Sequence, residues 1–186
     1  MDLNEDVVRR LAADMIVGDA PPYSWADPES VDRHLKELVA ALQRSDLIGL
    51  EADFDHYGSG YSSYVHAFAW LSDRSGHVER RDGTDIAGLH LYLCRRGPFA
   101  AWGPGSKSRN KDGSGAGGFL EWEEVGVLPA GRWKEAIAEI ERKLRECGLR
   151  TVTKMEVETP LPGDIKVASL FDPPYRVFDA VFHWID

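Results

Sequence analysis

The fold prediction starts from nine consecutive residues, Leu47-Ile48-Gly49-Leu50-Glu51-Ala52-Asp53-Phe54-Asp55. Apolar and acidic side chains alternate along them. In a β-strand, successive side chains point to opposite faces of the sheet. The pattern therefore predicts a strand with one apolar face and one face that carries three carboxylates in a row.

Helix signals lie before and after this stretch. Asn4 can cap a first helix, and Asp27 followed by Pro28 is typical of the start of a second. Apolar residues at helical spacing over 133–144 predict a third helix, and Gly148 is suited to the position just after its end.

The remaining segments indicate strands joined by short turns. Residues 64–71 and 86–95 are apolar on both faces, as in central strands covered on both sides. Shorter strands are predicted within 77–81, 99–102, 119–128, 151–158 and 176–185. Because short turns join antiparallel neighbours, we expect an α+β fold, a mainly antiparallel β-sheet of several strands packed against about three α-helices, in a single globular domain over 1–186.

The segment 103–118, GPGSKSRNKDGSGAGG, is predicted to be a flexible glycine-rich loop, because it offers almost no side chains to bury. Residues 113–118 match GxGxxG, but a dinucleotide site needs a helix directly afterwards, and a strand pattern follows here. Lys107, Arg109 and Lys111 allow another interpretation, in which the loop closes over an anionic ligand.

The formal net charge is -9, which disfavours nucleic acid and anionic membranes as partners. Carboxylates at alternate positions of three predicted strands would form a broad acidic face if those strands are neighbours. Such a face suits a basic protein partner. The leading hypothesis is a non-catalytic acidic binding protein, in its most concrete form a toxin-neutralising immunity-type protein, with partner-binding residues Glu51, Asp53, Asp55, Glu121, Glu123, Glu156 and Glu158.

The alternative hypothesis is a small enzyme with a glycine-rich lid. Its metal version uses the ligands Glu51, Asp53, Asp55 and His56. Its second version uses His66 and His90, which share predicted strand faces with aromatic residues and would line a pocket if their strands pair. The sequence lacks HExxH and CxxC, so we expect no metal or other cofactor.

The sequence shows no pattern typical of a membrane span or of a signal for secretion. No apolar run reaches the roughly 20 residues that span a bilayer, and the N-terminus does not resemble a signal peptide. Cys94 and Cys147 are too few for a disulfide framework. We therefore expect a cytoplasmic protein with reduced thiols.

Overall fold

The structure is a computed structural model that describes residues 1–55, 58, 60–167 and 173–185. In the described part of the chain, no helix has both the length and the apolar character needed to cross a membrane. Five α-helices occur in these residues: α1 Glu5–Ala12, α2 Pro28–Gln43, α3 Trp133–Glu146, α4 Lys154–Val157 and α5 Val177–Val181.

Seven of the described strands form one mainly antiparallel sheet, and two short strands pair separately. The nine strands are β1 Ile48–Asp53, β2 Tyr61–Ser62, β3 Tyr64–Leu71, β4 His77–Arg80, β5 Gly83–Cys94, β6 Phe99–Asn110, β7 Gly115–Gly117, β8 Arg150–Thr151 and β9 Trp184–Ile185. The order across the large sheet is β1-β3-β5-β6-β7, with β4 also on β5 and β8 on β6; β2 pairs with β9. Among these nine described strands, β8 alone runs parallel to its neighbour. The α+β class predicted from the sequence is confirmed.

One face of the sheet is covered by α2 and α3. The apolar residues of β1, such as Ile48 and Leu50, and those of β3, β5 and β6 pack against buried helix residues, among them Leu35, Leu38 and Ile140. This is the apolar side of the alternation read in 47–55, so the pattern predicted the buried face of β1 correctly.

The opposite face is covered over only part of its area. Tyr64, Tyr92 and Ala101 pack there against α1, α5 and the C-terminal segment, through residues such as Leu11 and Phe178. The rest of this face, over β1, β3, β5 and the second half of β6, carries the candidate site.

Helix starts are where the local sequence is most informative. The Asn4 side chain accepts a hydrogen bond from the Val7 amide, and the Asp27 side chain accepts one from the Ser30 amide. Both predicted caps are therefore confirmed. Gly148 follows α3 with a φ of 74°, the left-handed conformation that favours glycine after a helix.

The interpretation of 103–118 as a loop is wrong for most of its residues. Residues 103–110 are the second half of β6, and Gly115–Gly117 form β7, so only the turn 111–114 and Gly118 lie outside the sheet. Glycine and serine usually disfavour strands. Here β6 is held by β5 along 11 registered residue pairs, so its tertiary partner overrides its local propensity.

Three of the predicted strands are absent or shortened in the described residues. Residues 122–124 form a 3-10 turn within 119–128, and α4 replaces half of the strand predicted over 151–158. A capping box between Thr153 and Glu156 starts α4. In the last segment α5 precedes the two residues of β9, so half of the predicted aromatic strand is a helix.

Candidate functional site

A pocket of about 540 Å³ lies between the partly covered sheet face and the β6–β7 hairpin. That volume is within the range of small-molecule sites. Buried rings form its floor, two cations and a carboxylate stand at its rim, and backbone forms one wall. The lining residues are Glu51, His66, Phe68, His90, Lys107, Ser108, Arg109, Asn110, Gly113, Ser114, Gly115, Ala116, Gly117, Gly118 and Phe119.

The floor contains a hydrogen-bonded histidine pair. His66 on β3 and His90 on β5 are diagonal neighbours, because His66 is opposite Tyr92 and Phe68 is opposite His90. The distance from His66 Nε2 to His90 Nδ1 is 2.9 Å. His66 is 7% exposed and His90 2%. The structure thus brings together the two residues that the sequence proposed for a histidine pocket; a catalytic role for them remains a prediction.

Both histidines are held neutral by their surroundings. Burial lowers the pKa of His66 to about 3, helped by the neighbouring His90 and by the positive charge of Lys107. Burial also lowers the pKa of His90 to about 4, again with a contribution from Lys107. Desolvation disfavours the charged imidazolium, and a nearby cation adds to that cost. At neutral pH, therefore, the pair offers polar nitrogens without a net charge.

The rim of the pocket is organised by Glu51. Its carboxylate accepts hydrogen bonds from both the Lys107 ammonium and the Arg109 guanidinium, across the sheet from β1 to β6. The Arg109 guanidinium also lies 4.9 Å from the centre of the Trp70 ring, a cation–π distance. These contacts hold two cations beside the pocket in a defined position.

The wall opposite the floor consists almost entirely of backbone. Residues 113–118 contribute four glycines, Ser114 and Ala116. β7 pairs with β6 so that Gly117 is opposite Lys107 and Gly115 opposite Arg109. Asn110 donates a backbone hydrogen bond of 2.7 Å to the Ser114 carbonyl, which closes the hairpin. A wall without large side chains leaves room for a flat group against the peptide planes.

Glycines also explain why the rings lie flat on the floor. A Cβ atom at Gly105 would lie 2.4 Å from His90 Nε2, and one at Gly88 would lie 2.5 Å from the Phe68 ring. Distances under 3.0 Å are incompatible with a real Cβ. The absence of side chains at these strand positions is therefore what allows the aromatic residues to occupy the sheet surface.

The predicted acidic partner surface does not form one sheet face. Glu51 and Asp53 stand in β1, but Glu121 precedes the 3-10 turn and Glu123 belongs to it. Glu156 lies in α4 and forms an ion pair of 2.8 Å with Arg150, and Glu158 follows that helix. Asp55 lies just past β1 and is exposed. The prediction of a shared acidic sheet face is wrong, because two of the three predicted strands are turns or helices. The binding of a basic partner stays a prediction.

The candidate metal ligands do not converge either. Among the residues that the structure describes, no group of three or more His, Cys, Asp or Glu side chains is placed to hold a metal ion. Glu51 is engaged by two cations instead, and His56 lies outside the described residues.

The sequence suggested Lys107 and Arg109 as cations of a loop over an anionic ligand, but it did not place them on a strand at the rim of a pocket. A signal was present, since the two cations are spaced i, i+2 and would share a face if residues 103–110 were a strand. The same spacing occurs in Glu51 and Asp53. The low-complexity composition concealed it, because the glycines indicated a loop.

Comparisons of the chain with protein-family models, with curated proteins and with solved structures found no match.

Proposed function

We propose that the protein binds a small organic anion in the pocket between the His66–His90 pair and the β6–β7 hairpin. The observation that carries the proposal is the pair of cations at the rim, which Glu51 holds beside a concave floor of buried rings. Concave sites with a few convergent polar groups on an apolar lining are the usual form of small-molecule sites.

Local charge supports an anionic ligand. Lys107 and Arg109 each bring a positive charge to the lining and Glu51 brings one negative charge, so with neutral histidines the pocket lining carries a formal charge of +1. The whole chain carries -9. A positive site on a negative protein favours anions over cations at that site.

Aromatic side chains support a ligand with a flat apolar body. The Phe119 ring is 49% exposed and lies with its centre 5.8 Å from that of His66. Phe68 forms part of the floor, and the backbone of 113–118 forms the facing wall. An aromatic acid would place its ring among these groups and its carboxylate at the cations.

The protonation state of the pair favours binding over proton transfer. An efficient general base has a pKa near the working pH, whereas the pKa values of His66 and His90 are about 3 and about 4. At neutral pH these rings are weak bases that can still hydrogen-bond a ligand. We therefore place recognition, and not acid–base chemistry, at the centre of the proposal.

Benzoate and benzamide test the proposal, because they share shape and differ in charge. Binding is followed by ¹H–¹⁵N NMR at fixed ionic strength, since surface charge interactions are screened by salt. We expect benzoate to shift the amide signals of Lys107, Arg109 and residues 113–118, with an affinity about tenfold above that of benzamide. Lys107→Met should remove most of this preference.

A steric variant with a matched control locates the site. A Cβ at Gly118 would meet only His90 Nε2, at 3.6 Å, and a Cβ at Gly163 would meet nothing within 4 Å. Gly118→Ala should therefore weaken binding of both probes while the fold is kept, and Gly163→Ala should leave it unchanged. Equal affinity for benzoate and benzamide, or a benzoate affinity that Lys107→Met leaves intact, would contradict the proposal.

Two sequence-based expectations are kept as part of the proposal. The net charge of -9 still supports a basic protein partner. The two cysteines are free thiols in the structure, which supports a cytoplasmic location.

A further inference from the structure

We infer that His90 Nε2 hydrogen-bonds the bound anion at a second point, and that His66 is a positioning residue that selects the tautomer in which His90 donates. The pocket would therefore select organic anions that carry a hydrogen-bond acceptor, such as a carbonyl oxygen, apart from their charged group. The inference rests on the proposed function, because it names the class of ligand that the same pocket takes.

The placement of His90 Nε2 is the first step. His90 is 2% exposed, and within the described part of the chain its ring forms one hydrogen bond, between its Nδ1 and His66 Nε2. Its Nε2 faces the hairpin, since that atom alone lies within 4 Å of a Cβ built on Gly118. Because His90 lines the pocket, this nitrogen is available to a hydrogen-bonding atom of a ligand there.

The tautomer of the pair is the second step. Each neutral imidazole has one N–H donor and one acceptor nitrogen. If His66 Nε2 donates to His90 Nδ1, His90 must carry its proton on Nε2 and can donate it to the ligand. If His90 Nδ1 donates instead, His90 Nε2 can only accept. The direction of the hydrogen bond within the pair therefore decides whether His90 Nε2 donates a hydrogen bond to a ligand or accepts one.

The fixed orientation of the ring is the third step. A Cβ at Gly105 would lie 2.4 Å from both Cδ2 and Nε2 of His90, so the ring rests directly on the strand beneath it. Its other edge is held by His66, and the Phe68 ring lies 5.5 Å away, centre to centre. These contacts hold the ring with Nε2 towards the hairpin, where an acceptor atom of the ligand can reach it.

Two pairs of probes test the inference. 4-Acetylbenzoate and 3-acetylbenzoate each carry a carbonyl acceptor, and their isopropyl counterparts have nearly the same shape without it. We expect at least one acetyl compound to bind about five- to tenfold more tightly than its isopropyl counterpart, the worth of one hydrogen bond. The His66→Phe variant should reduce this ratio to about one, because the partner that fixes the tautomer of His90 is lost.

Nitrogen NMR of histidine-labelled wild-type protein gives a readout that does not depend on a variant folding. With the preferred acetyl probe, His90 should be protonated at Nε2 and unprotonated at Nδ1. A ratio near one for both probe pairs in the wild type, or a His90 that stays unprotonated at Nε2 with the acetyl probe bound, would overturn the inference and leave anion binding standing. If no probe binds in a manner that depends on Lys107, the proposed function fails and the inference fails with it.

Discussion

At the scale of single residues, the pocket floor depends on positions where a side chain is missing. Gly49 lies beneath the Trp70 ring, Gly88 beneath Phe68 and Gly105 beneath His90. Each glycine removes the Cβ that would otherwise stand where the ring of a neighbouring strand lies. The aromatic residues can therefore lie flat on the sheet, which opens space above them for a ligand.

Gly88→Ala tests this role of glycine. The new Cβ would lie 2.3 Å from the Ala69 carbonyl oxygen and 2.5 Å from the Phe68 ring. Because backbone cannot move aside without breaking the β3–β5 pairing, we expect a loss of about 1–3 kcal/mol in the free energy of unfolding, measured with urea at pH 7. Gly163→Ala is the control and should stay within about 0.5 kcal/mol. A fully stable Gly88→Ala protein would contradict the described packing of Phe68.

The buried histidines predict a dependence of stability on pH. Their folded-state pKa values, about 3 and about 4, lie below the unfolded value of about 6.5. Below pH 6.5 the unfolded chain therefore binds protons that the folded chain does not, and stability falls until the pH reaches the folded values. As the pH falls from 6.5 to 4.5, we expect each histidine to lower the free energy of unfolding by about 2 kcal/mol.

Urea unfolding of the wild type and His66→Asn at several pH values measures this effect. Between pH 6.5 and 4.5 the free energy of unfolding of the variant should fall less steeply with pH than that of the wild type. The difference in slope should correspond to about one bound proton, whatever the stability of the variant at pH 7. Parallel pH profiles would show that His66 is charged, or solvated, in the folded protein.

At the scale of elements, the β6–β7 hairpin is the part of the fold that the sequence did not predict, because its glycine-rich composition is typical of a loop. Helix α2 follows from Asp27 and Pro28, and the central strands follow from their apolar runs. The strand character of 103–110 does not follow from any local signal, because β5 supplies the hydrogen-bonding partner. Strand order is a long-range property, and so Glu51 could not be matched to Lys107 and Arg109 from the sequence.

The helices α4 and α5 were missed for a different reason. Both are short, with four and five residues, and alternation over so few positions does not distinguish a strand from a helical turn. The capping box of Thr153 and Glu156 was a usable signal for α4. The histidine pair, by contrast, could be anticipated as soon as β3 and β5 were assumed to be neighbours.

Two glycine variants test whether the hairpin is formed. A Cβ at Gly115 would lie 2.2 Å from the Ser108 carbonyl oxygen, whereas the nearest contact at Gly117 would be 3.6 Å, to Lys107. Gly115→Ala should therefore speed hydrogen exchange of the Asn110 amide at least about tenfold, and Gly117→Ala should change it little. Exchange of the wild-type Asn110 amide at the rate of an unstructured peptide would restore the flexible-loop interpretation.

At the scale of the whole molecule, the distribution of charge separates the pocket from its surroundings. The chain carries a net -9, while the pocket lining holds two cations and a single carboxylate. The two apolar faces of the sheet also differ: α2 and α3 cover one side, and α1 and α5 leave part of the other side open. The fold thus presents a partly open pocket with a positively charged lining on a protein of net negative charge, and we place the ligand there.

The most direct test of this account is the position of benzoate on the protein, measured by intermolecular NOEs from its ring protons. We predict NOEs to the ring protons of Phe68 and Phe119. Trp25, which is 63% exposed and does not line the pocket, serves as the control for unspecific contact and should show none. NOEs to Trp25 without NOEs to Phe68 and Phe119, or no intermolecular NOE to the pocket at saturating benzoate, would contradict the claim that this pocket binds an organic anion.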